Sequence, residues 1–274
     1  MMRIETRAYS WNVHDIGDGP VMLLLHGAGA SAQSYRHVIP RLAKTHRVLT
    51  PDLPGHAQTR TKGRNRLRLD MMAQDLAALL VAVDVTPDIV VGHSAGAALG
   101  ARLCLDQPRI RGFVSINGAF EMFDGLATWL FPLMAKALAV NPLTAMVFAR
   151  TMTAARVAEL LRATGSEIDD EGQEIYRTLM QNRRHVDGVL RMMAGWSLTK
   201  LNADLPHLET PTLLITGAKD KAVPPRVSDD LAKRLSQARV QTFANYGHLI
   251  HEEAPEEIAS AIDTFVSGLC PRNA

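Results

Sequence analysis

The strongest constraint on how this chain can fold is a rhythm in its first half: short apolar runs, each followed by a turn rich in glycine or proline, alternate with stretches of helical period. The apolar runs are Val21 to Leu25, Arg47 to Leu53, Asp88 to Val91 and Gly112 to Ile116. The helical stretches are Ser31 to Lys44, Asp70 to Val83, where Asp70 is placed to cap the first turn, and Ala95 to Asp106. Parallel neighbours need a long crossover, and strands covered by helices on both faces read as continuous apolar runs. The rhythm therefore predicts an α/β fold with a doubly wound, mostly parallel sheet.

The pattern stops at Ala119. From there to about Leu201 the chain is helical in character and holds seven of its 12 methionines, among them Met122, Met134, Met146, Met192 and Met193. Alternation resumes with a strand from Pro211 to Thr216, a helix from Arg226 to Leu235, a strand from Val240 to Phe243 and a closing helix from Glu256 to Leu269. The expectation is one domain: a core of residues 1–118 and 202–274, interrupted by a helical cap of residues 119–201. A length of 274 residues suits one core with one large insertion. Leu126 to Ala149 is almost wholly apolar, but Pro132, Lys136, Asn141 and Pro142 interrupt it, so buried cap helices are expected there and no transmembrane span.

Composition closes off other classes. Thirty Lys and Arg against 28 Asp and Glu leave no global field to draw nucleic acid. The start, Met1 to Arg7, alternates charged and apolar residues without the apolar stretch of a secretory signal, so a cytoplasmic location is expected. Cys104 and Cys270 are the only cysteines, too few for a disulfide framework or a cysteine-rich metal site. No metal or cofactor is expected.

The chemistry gathers at the expected strand ends. Gly92-His93-Ser94-Ala95-Gly96 has the glycine-x-serine-x-glycine pattern of a nucleophile elbow, and its context is right: it follows an apolar strand and opens a helix. Serine is a weak nucleophile at neutral pH and needs a base, which in turn needs a carboxylate to orient it. Asp220, after the strand ending in Thr216, and His248, after the strand ending in Phe243, supply both in the order serine, acid, histidine. His251 competes as the base, but Gly247 frees the backbone to aim His248; His93 is expected to be structural. Acyl transfer also needs donors for the oxygen that becomes negative, and the backbone amides of Ala28, in the turn Leu25-His26-Gly27-Ala28-Gly29-Ala30, and of Ala95 are the candidates. That turn lacks the lysine a phosphate-binding loop requires. Arg60, Lys62, Arg64, Arg66 and Arg68 form a basic run that reads either as a solvated loop or as a docking patch for carboxylates.

These residues together resemble the α/β-hydrolase superfamily: His26-Gly27, Asp52-Leu53-Pro54-Gly55-His56, the Ser94 elbow, Gly217 to Asp220 with Pro224, and Gly247-His248 with Glu253 and Pro255. Serine at the elbow separates the chain from the haloalkane dehalogenases and epoxide hydrolases, which place aspartate there. Within the superfamily the chain resembles the magnesium-chelatase accessory proteins of bacteriochlorophyll biosynthesis. That resemblance is carried by Val91 to Ala98, Ser115-Ile116-Asn117-Gly118-Ala119, Asn141-Pro142-Leu143, Thr164-Gly165-Ser166, His185-Val186-Asp187-Gly188 and Met192-Met193-Ala194-Gly195-Trp196. Where such proteins usually carry threonine after the histidine-glycine pair, this chain has Ala28, which leaves the backbone donor in place. The resemblance implies an α/β-hydrolase fold and a role near magnesium insertion into protoporphyrin, with a chelatase subunit as partner. The reading that joins residues and resemblance is a serine hydrolase acting on an ester or related acyl bond of a small apolar substrate, a tetrapyrrole being one candidate. Trp129, Met134, Met146, Met192 and Trp196 are expected to line its pocket, since flexible thioethers adapt to large flat ligands. A non-catalytic porphyrin-binding or chelatase-binding accessory, and a general carboxylesterase, cofactor-free perhydrolase or carbon-carbon hydrolase, stay open beside it.

Overall fold

The computed structural model describes residues 1–62, 66–121 and 150–269. Its strands are β1 (Met2–Glu5), β2 (Tyr9–Ile16), β3 (Val21–Leu25), β4 (Arg47–Pro51), β5 (Arg60–Thr61), β6 (Ile89–His93), β7 (Gly112–Ile116), β8 (Thr212–Gly217) and β9 (Ala238–Phe243). They form one sheet in the order β1-β2-β4-β3-β6-β7-β8-β9, with β5 on β2. From β4 to β9 all neighbours are parallel, while β1, β2 and β5 attach antiparallel.

Successive strand residues point to opposite faces, and the core divides accordingly. Leu23, Leu25, Val90, Phe113 and Leu214 belong to one apolar cluster, Met22, Leu24, Val91, Val114 and Ile215 to the other. Helices α2 (Leu69–Ala82) and α3 (Ala95–Asp106) bury Leu76, Leu79, Leu99 and Leu103 on the first face. The short α1 (Ile39–Leu42) and the long C-terminal helix Pro255–Ser267 bury Leu42, Ile258, Ile262 and Phe265 on the second. The result is the expected α/β/α arrangement.

Three local expectations need correction. The helix expected from Ser31 to Lys44 is a 3-10 turn, Ala32–Tyr35, capped by Ser31, and then α1. Pro40 has no N–H and its ring would clash with a carbonyl one turn back, so one helix cannot run through it. Asp70 does not cap α2: Arg68 holds that position and Asp70 lies in the first turn, where its charge faces the positive helix end. The sequence reading also assigned no strand before Val21, although Tyr9, Trp11 and Val13 alternate into the core along β2.

Between β7 and β8 the chain forms α4 (Ala154–Ala163), α5 (Asp170–Gln181), α6 (Arg183–Gly195) and α7 (Thr199–Asp204). The first three begin with side-chain caps from Thr153, Asp169 and Asn182. A third cluster, Ala30, Met152, Val157, Leu161, Ile168, Tyr176 and Leu249, joins α4 and α5 to the loops that follow β3 and β9. These helices thus rest on the loops at the C-terminal ends of the strands. After β8 come α8 (Arg226–Ala232), α9 (Ile250–Glu253) and the C-terminal helix, α10. Leu126 to Ala149 lies outside the described residues; among those described, no helix is long and apolar enough to cross a membrane.

Leu24 is fully buried in a central strand, so Leu24→Ala should destabilise the fold by about 2–5 kcal/mol through lost burial and the cavity left behind. Urea unfolding checks this: the midpoint should fall with the slope unchanged.

Candidate active site

In a doubly wound sheet the crevice opens where the strand order reverses, beyond the C-terminal ends of the strands. Here that point lies between β3 and β6, since β3 leads to β4 on one side and the chain then crosses to β6 on the other. The turns leaving these two strands carry Ala28 and Ser94. Ser94 has φ 52° and ψ −119°, a strained conformation for a residue with a side chain. It is imposed by the abrupt step from strand to helix, and the Ser94 amide is held by the Ile116 carbonyl at 3.0 Å. The step needs its flanking glycines: a Cβ on Gly92 would fall 2.5 Å from the Ala97 Cα, and one on Gly96 would fall 2.3 Å from the Leu25 carbonyl oxygen. Ala95 opens α3, whose first amides have no partner within the helix.

The neighbouring turn is close. A Cβ on Gly27 would meet the Ser94 Cβ at 3.1 Å. The Ala30 amide donates to the Gly27 carbonyl at 3.2 Å, and Gly29 takes φ +79°, as the third position of such a turn requires.

Asp220 and His248 come together from the ends of β8 and β9. His248 Nδ1–H donates to Asp220 Oδ2 at 2.8 Å, and Asn117 Nδ2 donates to the same oxygen. The other carboxylate oxygen accepts the amides of Ala222 and Val223, both at 2.8 Å. Burial alone would raise the Asp220 carboxyl, but the His248 charge and these hydrogen bonds outweigh it and hold the group below its ordinary value. Of the two candidate bases, then, His248 meets the acid. His251 is fully buried, with both ring nitrogens unpartnered, and packs on His93 and Tyr35 at centroid distances of 4.3 and 4.9 Å. Among the described residues no hydrogen bond joins the Ser94 hydroxyl to His248; contacts of this kind commonly tighten only once substrate is bound.

His93 has a definite task. Its Nε2–H donates to the His248 backbone carbonyl at 2.9 Å, which ties the elbow to the loop carrying His248. The carbonyl can only accept, so Nε2 carries the hydrogen, and the ring is neutral, since burial first, and then the His248 charge, push it down to about 3. His26 behaves alike, with Nδ1–H on the Gly27 carbonyl at 2.8 Å and Nε2 accepting the Leu53 amide at 2.9 Å.

The helices between β7 and β8 hold the same loops from outside. The Lys221 amide donates to the Thr164 carbonyl at 3.0 Å, and the Leu249 amide donates to Ser166 Oγ at 2.7 Å. A Cβ on Gly165 would sit 2.0 Å from the Lys219 carbonyl oxygen, and one on Gly247 would sit 2.2 Å from that of Gly165. The sequence reading gave Asn117, Ser166 and His185 no role. The one local signal was at Asn117, an asparagine before glycine at a strand end, which takes φ +47°.

Other expected residues are distributed as follows. Met192 is buried in the cluster under α6, and Trp196 packs against it partly exposed. Trp129, Met134, Met146, Arg64 and Cys270 lie outside the described residues. In the basic run, Lys62 pairs with Glu5 and Arg66 with Asp75 at 2.9 Å, so part of its charge is neutralised within the chain.

The chain belongs to the alpha/beta hydrolase fold family, whose model matches residues 20–255. It is 46% identical over 261 residues to the "Magnesium-chelatase 30 kDa subunit" of Rhodobacter capsulatus, covering 94% of this chain and 91% of that one. It is also 27% identical over 267 residues to a 2-hydroxymuconate semialdehyde hydrolase of Pseudomonas sp. (strain CF600), covering 93% and 90%. Among solved structures, an esterase from Exiguobacterium antarcticum superposes with a TM-score of 0.78 at 16% identity, covering 95% of this chain and 96% of that one, which shows the shared fold.

The buried rings make the site sensitive to acid. Burial pushes His26 and His251 well below their ordinary value, His56 to about 4, and His93 and His185 to about 3. In the unfolded chain each titrates near 6.5, so below that pH the unfolded state binds protons that the folded state refuses, and stability falls. Glu252 opposes this by one proton: burial raises it to about 7 against Arg36 and the Tyr176 hydroxyl, so the folded chain protonates it first. A net uptake of protons on unfolding is expected between pH 6.5 and 4.5, each worth roughly 1.4 kcal/mol per pH unit. Thermal midpoints should therefore drop steeply over that window; a flat profile from pH 7 to 5 would contradict the neutral cluster.

Proposed function

We propose that this protein is a serine hydrolase that cleaves an ester or related acyl bond of an apolar substrate, with Ser94, His248 and Asp220 as its triad. The observation that carries this reading is the 2.8 Å hydrogen bond from His248 Nδ1 to Asp220, set beside a strained serine at the reversal point of the sheet. Ser94 Oγ attacks the acyl carbon while His248 Nε2 takes its proton. The oxygen that becomes negative is held by the amides of Ala28 and Ala95. The bond to the leaving group then breaks, and His248 returns the proton to it; water repeats the sequence on the acyl-enzyme. Asp220 stays ionised throughout, fixing the ring and balancing its transient charge. Such a mechanism needs no metal or cofactor.

Residues 119–201 act in this reading as the cap, with Met192 and Trp196 facing the substrate. The likeness to a protein named as a magnesium-chelatase subunit supports a place beside magnesium insertion, in the cytoplasm, with a tetrapyrrole as substrate and a chelatase subunit as partner. The same name favours a second reading, in which the protein binds porphyrin or chelatase without catalysis.

A fluorophosphonate probe separates the two. It should label Ser94, and protoporphyrin should block the labelling. Ser94→Ala and His248→Ala should each lower hydrolysis of activated esters by roughly 10⁴-fold or more, because triad members act as a unit. His251→Ala should remain active. Absent labelling combined with porphyrin quenching of tryptophan fluorescence would give the lead to the binding reading.

A further inference from the structure

His185 stands on the first turn of α6, where the Asn182 side chain caps the helix by accepting the amides of Arg184 and His185. It is only 3% exposed and reaches two loops of the core at once. Nδ1 accepts the Ala57 amide at 2.9 Å, and Nε2 lies 3.1 Å from the Gly29 carbonyl oxygen. An amide can only donate and a carbonyl can only accept, so the ring must be neutral, with its hydrogen on Nε2. Its edge packs against His56 at 5.4 Å, and His56 against His26 at 5.1 Å.

α6 is locked in that place by backbone contact. Gly188, one turn on and on the same face, lies so close to Gly55 that a Cβ would fall 1.9 Å from the Gly55 carbonyl oxygen. The helix therefore has little freedom to slide, and the ring is aimed by the frame.

In a trans peptide the C=O of one residue and the N–H of the next point in opposite directions. Holding the Gly29 carbonyl thus sets the direction of the Ala30 amide, which donates to the Gly27 carbonyl at 3.2 Å. The Gly27 carbonyl, gripped also by His26 at 2.8 Å, in turn sets the direction of the Ala28 amide. We infer that His185 is a positioning residue of the proposed hydrolase: from the inserted helices it braces the Gly27–Ala30 turn so that the Ala28 amide is aimed at the oxygen that becomes negative. This inference rests on the hydrolase reading for its catalytic half and on geometry alone for its structural half.

The two halves can be tested apart. His185→Phe keeps a buried ring against His56 but loses both hydrogen bonds; His185→Gln keeps one donor and one acceptor. With p-nitrophenyl butyrate, His185→Phe should lower kcat by about 10- to 100-fold at nearly unchanged KM, less than the loss of a whole oxyanion donor. It should weaken phenylboronic acid, whose adduct with Ser94 is tetrahedral and anionic, by a similar factor, and His185→Gln should recover part of both. Amide hydrogen exchange at Ala30 and Ala57 should speed up in His185→Phe while the chain stays folded at the assay temperature. Unchanged exchange at those amides, or a defect confined to KM, would overturn the brace. If the parent neither hydrolyses esters nor takes up the fluorophosphonate, the hydrolase reading fails, and the exchange rates alone then decide whether His185 holds the turn.

Discussion

The site depends on how closely the start of α3 can approach the end of β3. A side chain at Gly96 would collide with the Leu25 and His26 carbonyls at 2.3 and 2.5 Å, so only glycine lets the helix begin on top of that turn. This approach forces the chain through the φ +52° conformation at Ser94 and brings the serine against Gly27. Strain of this kind persists only where its surroundings over-determine it. Here they do: the Ser94 amide is held by β7 through Ile116, its carbonyl accepts the amides of Ala97 and Ala119, and His93 is tied to the loop after β9. Parallel strands β6, β7, β8 and β9 then deliver Ser94, Asn117, Asp220 and His248 to one edge of the sheet.

The helices inserted between β7 and β8 belong to this frame. Thr164, Gly165 and Ser166 grip the loops of Asp220 and His248, while His185 and Gly188 grip the turns after β3 and β4. An apolar cluster shared with Ala30 and Leu249 adds non-directional attraction to these directional contacts. Moving α4 or α5 away as a lid would break hydrogen bonds to the loops that carry Asp220 and His248, and moving α6 would break those to the turns after β3 and β4. The described helices therefore set the shape of the site as firmly as the sheet does.

The sheet, its parallel order and the positions of Ser94, Asp220 and His248 beyond its strand ends were legible in the sequence because each is written locally, as an apolar run, a glycine pair or a strand end. The helix break at Pro40 is legible too, since a proline inside a helical stretch marks a boundary. The bracing residues were not, and the reason is separation. His185 meets Gly29 across 156 positions, Asn117 meets Asp220 across 103, and Ser166 meets Leu249 across 83. For His185 and Ser166 the partners are main-chain groups, which leave no mark on residue type. What the sequence did offer was a set of motifs, Thr164-Gly165-Ser166 and His185-Val186-Asp187-Gly188, whose meaning only the contacts supply. Trp129, Met134 and Met146 lie outside the described residues.

Three of the supporting hydrogen bonds come from buried imidazoles: His26 on Gly27, His93 on the His248 carbonyl and His185 on Gly29. A lysine or arginine could donate in the same places, but each would bring a charge into the interior that needs a partner and costs several kcal/mol to desolvate. At the place of His93 it would also stand beside His248, which in the proposed mechanism becomes positive when it takes the serine proton. Repulsion from His248 is one of the forces that push His93 down, so the His93 ring stays neutral beside it. A neutral imidazole avoids such a charge, since it offers one donor and one acceptor on a rigid plane with no net charge. Burial thus does two things at once. It fixes the rings that aim the loops, and by keeping them uncharged it leaves Asp220 as the charge hydrogen-bonded to His248 in the proposed proton transfer.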